Sequence, residues 1–129
     1  MFRYFRLKAG RVELGQPLPP ALHDAAKSAI DGALVLPSES FGGAERITLF
    51  LSPGGLVTGA TFDYGPTVHF ETRVKDYSAM GAPARETTDD GAESVRWEDD
   101  ATSFTLRRAP NGEMPRITAE LRDRSPGTQ

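Results

Sequence analysis

The chain contains no cysteine. That one absence removes disulfides, thiolate metal sites and cysteine nucleophiles together, and it leaves the fold to be held by its core. Histidine is scarce, with only His23 and His69, so a metal centre or an acid–base dyad has little imidazole to draw on. No apolar run approaches the roughly 18 residues of a membrane-crossing helix. The opening segment, Met1-Phe2-Arg3-Tyr4-Phe5-Arg6-Leu7-Lys8, interleaves charges with apolar residues and has no apolar stretch of signal-peptide length. A cytoplasmic protein without a membrane association is therefore the expectation. Basic charge is also in deficit, with 15 Lys and Arg against 18 Asp and Glu, which argues against nucleic acid as a partner.

What is present describes a chain that folds. At 129 residues it has the length of one domain and, with 38% hydrophobic and 26% charged residues, lies far from the composition of disordered chains. Thirteen Gly and ten Pro point to many turns and short strands rather than a helical bundle.

Two patterns recur along the chain. Arg6-Leu7-Lys8 followed by Leu14-Gly15-Gln16-Pro17 returns as Arg73-Val74-Lys75 followed by Met80-Gly81-Ala82-Pro83. A hairpin pattern also recurs: Thr48-Leu49 leads through Pro53-Gly54-Gly55 to Val57-Thr58, and Thr105-Leu106 leads through Pro110-Asn111-Gly112 to Ile117-Thr118, each ending on an aspartate, Asp63 or Asp123. Such recurrence predicts a supersecondary unit used twice. β-Branched and aromatic residues alternate on both sides of these turns, as strands with one buried face require. Phe104, Leu106, Ile117, Ala119 and Leu121 are spaced by two as an inward face, and Ser94 to Glu98 alternates into a turn at Asp99-Asp100. The second half therefore reads as a three-stranded meander, with a fainter counterpart near Ala33 to Leu36 in the first.

Helices are predicted at two places. The first runs from about Pro19 to Asp31, with Leu22, Ala25, Ala26, Ala29 and Ile30 on one face and Gly32 as its stop; the second covers Val74 to Met80 and ends at Gly81. The expected architecture is an α+β fold of two related halves, about 1–65 and 66–124 within a single domain 1–124, each a short helix plus an antiparallel meander with the sheet packed on the helices. Residues 125–129 have nothing to bury and are expected to form a disordered tail.

A helix ending in Gly-x-Pro, then an antiparallel meander with a tight hairpin, resembles the repeat unit of the BamE-type outer-membrane assembly lipoproteins and of the β-lactamase-inhibitory-protein family. The likeness runs through Met80-Gly81-Ala82-Pro83, Trp97 and Pro110-Asn111-Gly112 within Arg73 to Asp123, and more loosely through Arg6 to Asp63. It implies tandem α+β repeats and a scaffold that binds other proteins. The lipoprotein pattern is not complete, since neither a signal peptide nor an anchoring cysteine is visible.

Residues for chemistry are few. His23 and Asp24 are neighbours on a predicted helix, where adjacent side chains point apart, and His69 with Glu71 lacks a third metal ligand. Neither Gly54-Gly55 nor Gly42-Gly43 carries a phosphate-binding context, and no Gly-x-Ser-x-Gly elbow occurs. No catalytic, cofactor or metal residue is therefore assigned, and no cofactor is expected.

Charge provides the remaining signal. Between Glu86 and Asp100 seven acidic residues face Arg96 alone. The spacing matches no calcium loop. The candidate partner-binding residues are Asp89, Asp90, Glu93, Arg96, Trp97, Glu98, Asp99 and Asp100, with Trp97 expected in the core by alternation and serving as an interface anchor if exposed. The reading this supports is a non-catalytic protein-binding module, an inhibitor or toxin-neutralising immunity protein, that docks a basic protein through an acidic surface. The alternatives are a small-ligand carrier, which needs an apolar cavity, and an enzyme using carboxylates and a histidine, which needs strongly shifted pKa values in a pocket.

Overall fold

Period-two alternation becomes strands wherever the sequence carries it. The computed structural model of the protein describes residues 2–36, 44–65, 69–110 and 117–124. Strands β1 (Tyr4–Leu7) and β2 (Gly10–Glu13) form a small hairpin. The strands β3 (Ala33–Leu36), β4 (Ala44–Leu51), β5 (Val57–Tyr64), β6 (Ala84–Thr87), β7 (Glu93–Glu98), β8 (Thr102–Arg108) and β9 (Ile117–Asp123) form one seven-stranded sheet. Its order is β3-β4-β5-β9-β8-β7-β6, with every neighbouring pair antiparallel. One α-helix is described, α1 (Phe70–Tyr77), which continues into a 3-10 turn at Ser78–Met80.

The register collects the apolar residues into rows that cross the sheet. One row runs Leu36, Ile47, Phe62, Ala119, Leu106, Val95, and the next runs Leu34, Leu49, Ala60, Leu121, Phe104, Trp97. All twelve side chains are buried. The cover on this face comes from the hairpin, through Phe5 and Val12, and from Phe70 and Val74, one turn apart on α1. Phe5 meets Phe62 edge-on with ring centroids 5.1 Å apart, a geometry that adds to the burial of each ring.

The α+β expectation of two related halves is overturned. The molecule is mainly antiparallel β, and the first predicted helix is absent: Pro20–Leu22 and Ala25–Ser28 are single 3-10 turns, and the chain is extended at Ala29 before Asp31 takes a φ of 52°. Helix nucleation is costly and is offset in proteins mostly by burying a face. The predicted apolar face offers only Leu22 as a buried side chain, its other members being alanine methyls and an exposed Ile30. The second predicted helix exists but begins at Phe70, because Phe70 and Val74 supply the buried pair that Val74 alone lacks. Further asymmetry comes from β1, β2 and β6, none of which the sequence reading assigned. Asn111 and Gly112 of the second predicted turn, Ser38 to Gly43, and the predicted tail lie outside the described residues.

The hairpin strands and their inward faces were read correctly. Leu49, Phe104, Leu106, Ile117 and Trp97 are buried, and Leu51 is partly so, beside a register shift between Phe50 and Leu51. Truncating a ring at the centre of such a core removes its transfer energy and leaves a cavity. Phe62→Ala is expected to lower unfolding free energy by about 3–5 kcal/mol, read as a lower denaturant midpoint, while Val35→Ser on the exposed side of β3 changes it by less than about 0.5 kcal/mol.

Candidate functional site

The alternate residues of the same strands point away from the core, and nothing among the described residues covers them as a layer. Row by row this second face reads Val35, Thr48, Thr61, Glu120, Thr105, Arg96, Ala84, and beside it Asp63, Thr118, Arg107, Ser94, Glu86, with Arg46 opposite Asp63. Threonines on neighbouring strands, such as Thr48 and Thr61, give it a short, flat relief. Its charges are mixed in sign. Glu120 pairs with Arg122 at 3.0 Å, and the Arg122 guanidinium lies 4.3 Å over the Phe50 ring. That stacking crosses Gly59, which stands between Phe50 and Arg122 in register; a Cβ there would lie 2.8 Å from the Leu121 carbonyl and 3.0 Å from Arg122 Cδ. Partial burial pushes the Asp63 carboxyl above the usual carboxylate range, with the Arg46 guanidinium pulling it down.

The acidic stretch is divided by the fold. Asp89 and Asp90 occupy the turn before β7, and Asp99 and Asp100 the turn after it, so the two pairs are separated by the whole strand. Asp90 accepts hydrogen bonds from the Thr88 hydroxyl and from the Ala92 amide at 3.1 Å. Asp99 accepts the Ala101 and Thr102 amides at 2.9 and 2.8 Å. These bonds hold both carboxyls below their ordinary pKa, led by the Thr88 hydroxyl at Asp90 and the Ala101 amide at Asp99. Glu93 lies on the core side of β7 and joins a chain of charges, paired with Arg108 and, at 3.5 Å, with Arg85, which in turn meets Glu71 of α1 at 2.8 Å.

Trp97 is 2% exposed and donates its indole N–H to the Gly81 carbonyl at 3.1 Å, so it presents no surface to a partner. Its alternation puts Arg96 and Glu98 on the open face, where Arg96 Nε donates to Thr105 Oγ1 at 3.4 Å. The side chains of Asp89, Glu98 and Asp100 are exposed and make no hydrogen bond or ion pair among the described residues. The structure thus brings Arg96 and Glu98 together on one surface and sets Asp89 and Asp100 at its margins, while the remaining candidates serve turns, an ion-pair chain and the core.

The histidines are not brought into a shared site. His69 precedes α1 as its N-cap and Glu71 lies within the helix; His23 Nε2 meets the Leu18 carbonyl at 3.1 Å. Among the described residues no group of three or more His, Asp or Glu is placed to hold a metal ion. No helix there is long and apolar enough to cross a membrane. The class defined by this geometry is an antiparallel sheet with one covered and one open face. No protein-family model, curated protein or solved structure matches the chain.

The open face had a signal that the sequence reading did not use, namely the outward positions Thr48, Thr61, Thr105 and Thr118 of the same alternating segments. A carboxyl whose pKa is raised by folding costs stability when ionised; the cost is absent below the unfolded-state pKa of about 3.9 and grows as pH rises through the folded value. Asp63→Asn is therefore expected to raise the thermal midpoint at about pH 7, with the advantage vanishing at about pH 3, as followed by circular dichroism.

Proposed function

We propose that the protein is a non-catalytic binding module, of the inhibitor or immunity-protein kind, that docks a basic protein on the open face of its sheet. The observation that carries the reading is the one-sided burial: six of the seven strands place their apolar rows on one face, and the other face of the sheet is largely polar. Strands of four to eight residues, at about 3.3 Å per residue and about 4.8 Å apart, give about 700 Å² in all, close to the roughly 800 Å² that each partner contributes to a standard interface. A hydrogen-bonded sheet is also preorganised, so little backbone entropy is lost when it binds.

Charge selects the partner. Glu86 and Glu98 on this face, with Asp89 and Asp100 beside it, are acidic groups without an internal partner among the described residues. They favour a surface rich in Lys and Arg at the β6–β7 end, while Arg96 and Arg107 set its register by rejecting cations placed against them. A cysteine-free chain fits a reducing compartment, and the reading places the encounter in the cytoplasm.

The test isolates the partner with the wild-type chain as bait and then maps the contact with purified components. Threonine methyl resonances of Thr48, Thr61, Thr105 and Thr118 are expected to shift on titration. Thr61→Arg with Thr105→Arg, checked for folding by circular dichroism, is expected to weaken binding at least about tenfold. Asp89→Asn with Asp100→Asn should mainly slow association and flatten its salt dependence. Unchanged affinity in the folded double-arginine variant rejects the open face as the docking surface.

A further inference from the structure

A second surface, on the covered side of the sheet, has different chemistry. Between β1 and α1 lies a groove of about 390 Å³, lined by Phe2, Tyr4, Phe5, Arg6 and Tyr77. The groove is wide open to solvent, so a ligand there lies along the surface with one side against the rings. Aromatic carbon forms its base: Phe2 stacks on Tyr77 with centroids 6.4 Å apart, and both pack on the buried Phe104 at 5.2 and 4.6 Å.

The outer residues of β1 are Tyr4 and Arg6, because Phe5 and Leu7 turn inward. Arg6 stands opposite Arg11 in the hairpin register, yet the two cations differ in their surroundings. Arg11 lies 3.9 Å over the Tyr4 ring and pairs with Glu13 at 2.8 Å, so its charge is met within the hairpin. The Arg6 side chain is exposed and makes no ion pair or hydrogen bond among the described residues. The groove therefore combines an apolar bed with one uncompensated guanidinium in its wall.

We infer that this groove binds a free medium-chain fatty acid, its carboxylate on Arg6 and its alkyl chain on the Phe2 and Tyr77 rings. The guanidinium fork matches a carboxylate through two parallel hydrogen bonds, and one cation suits one anionic group. An alkyl chain removes the exposed ring faces from water, a contribution that grows with each methylene that reaches them.

The site is tested by titrating the full chain with decanoate below its micellar concentration, by calorimetry and by following the tyrosine resonances. Saturable one-to-one binding is expected, at least about tenfold tighter than for decanol, with each added CH₂ tightening it by about twofold to fourfold until the groove is filled. Arg6→Ala should bring decanoate to the affinity of decanol, Arg6→Lys should restore part of the difference, and Arg96→Ala on the opposite face should leave binding unchanged. The Thr61→Arg, Thr105→Arg variant should bind decanoate normally, which separates this site from the protein-docking face. Equal affinity for decanoate and decanol, an unaltered Arg6→Ala variant, or binding only to anionic phosphatidylglycerol vesicles overturns the assignment.

Discussion

Strands β5 and β9 pair antiparallel over Gly59↔Arg122 to Tyr64↔Ile117, and on this ladder the rest of the molecule depends. It joins two meanders, β3-β4-β5 and β9-β8-β7-β6, that are otherwise remote in sequence. Opposite Phe62 stands Ala119, and opposite Ala60 stands Leu121, so large and small side chains complement each other at the centre of the core. A slip of β9 by one residue would turn Ala119 and Leu121 to the other face and present Thr118 and Glu120 to the core. The cost of burying those polar groups is what makes the register unique.

Once the register is set, one face must be covered and the other is free. The β1–β2 hairpin and α1 supply the cover, and the ends of the cover are fastened by polar contacts. Arg3 Nη1 donates to the Ala101 carbonyl and to Thr102 Oγ1, each at 2.8 Å, and its Nη2 meets Asp123 at 3.4 Å. The N-terminal segment is thereby tied to the β7–β8 turn and to the end of β9. At the other side Trp97 holds the Gly81 carbonyl, and the Glu71–Arg85–Glu93–Arg108 chain links α1 to β6, β7 and β8. Single exposed ion pairs contribute little, but a chain anchored at each end orients the helix on the sheet. The Arg108 guanidinium, 4.9 Å over the Phe70 ring, belongs to the same junction.

The two proposed surfaces follow from this division. A sheet face that none of the described elements covers offers breadth, mixed charge and short side chains, which suit a protein. The seam where a strand and a helix meet over an aromatic base offers an open apolar bed and a cation that is unpaired among the described residues, which suits a small anion with an apolar body. Acidic residues that looked like one surface in sequence have separate uses: Asp90 and Asp99 accept turn amides, Glu93 serves the ion-pair chain, and Asp89, Glu98 and Asp100 face solvent.

The sequence by itself determined the strands whose alternation is strong. Ile47 to Leu51, Ser94 to Glu98 and the set Phe104, Leu106, Ile117, Ala119, Leu121 announce their inward faces through a period of two that needs no knowledge of neighbours. It also placed Trp97 in the core, from the polar residues that flank it. Tertiary structure alone decided that β5 pairs with β9, because strand order is a matter of contacts across most of the chain and leaves no local mark. It decided that Pro19 to Asp31 is not a helix, since its alanines bury too little to offset nucleation, and that Ala84 to Thr87, exposed at every position, is a strand at all. The separation of Asp89-Asp90 from Asp99-Asp100 was equally invisible, because a six-residue strand spans about 20 Å in space while occupying few positions in sequence.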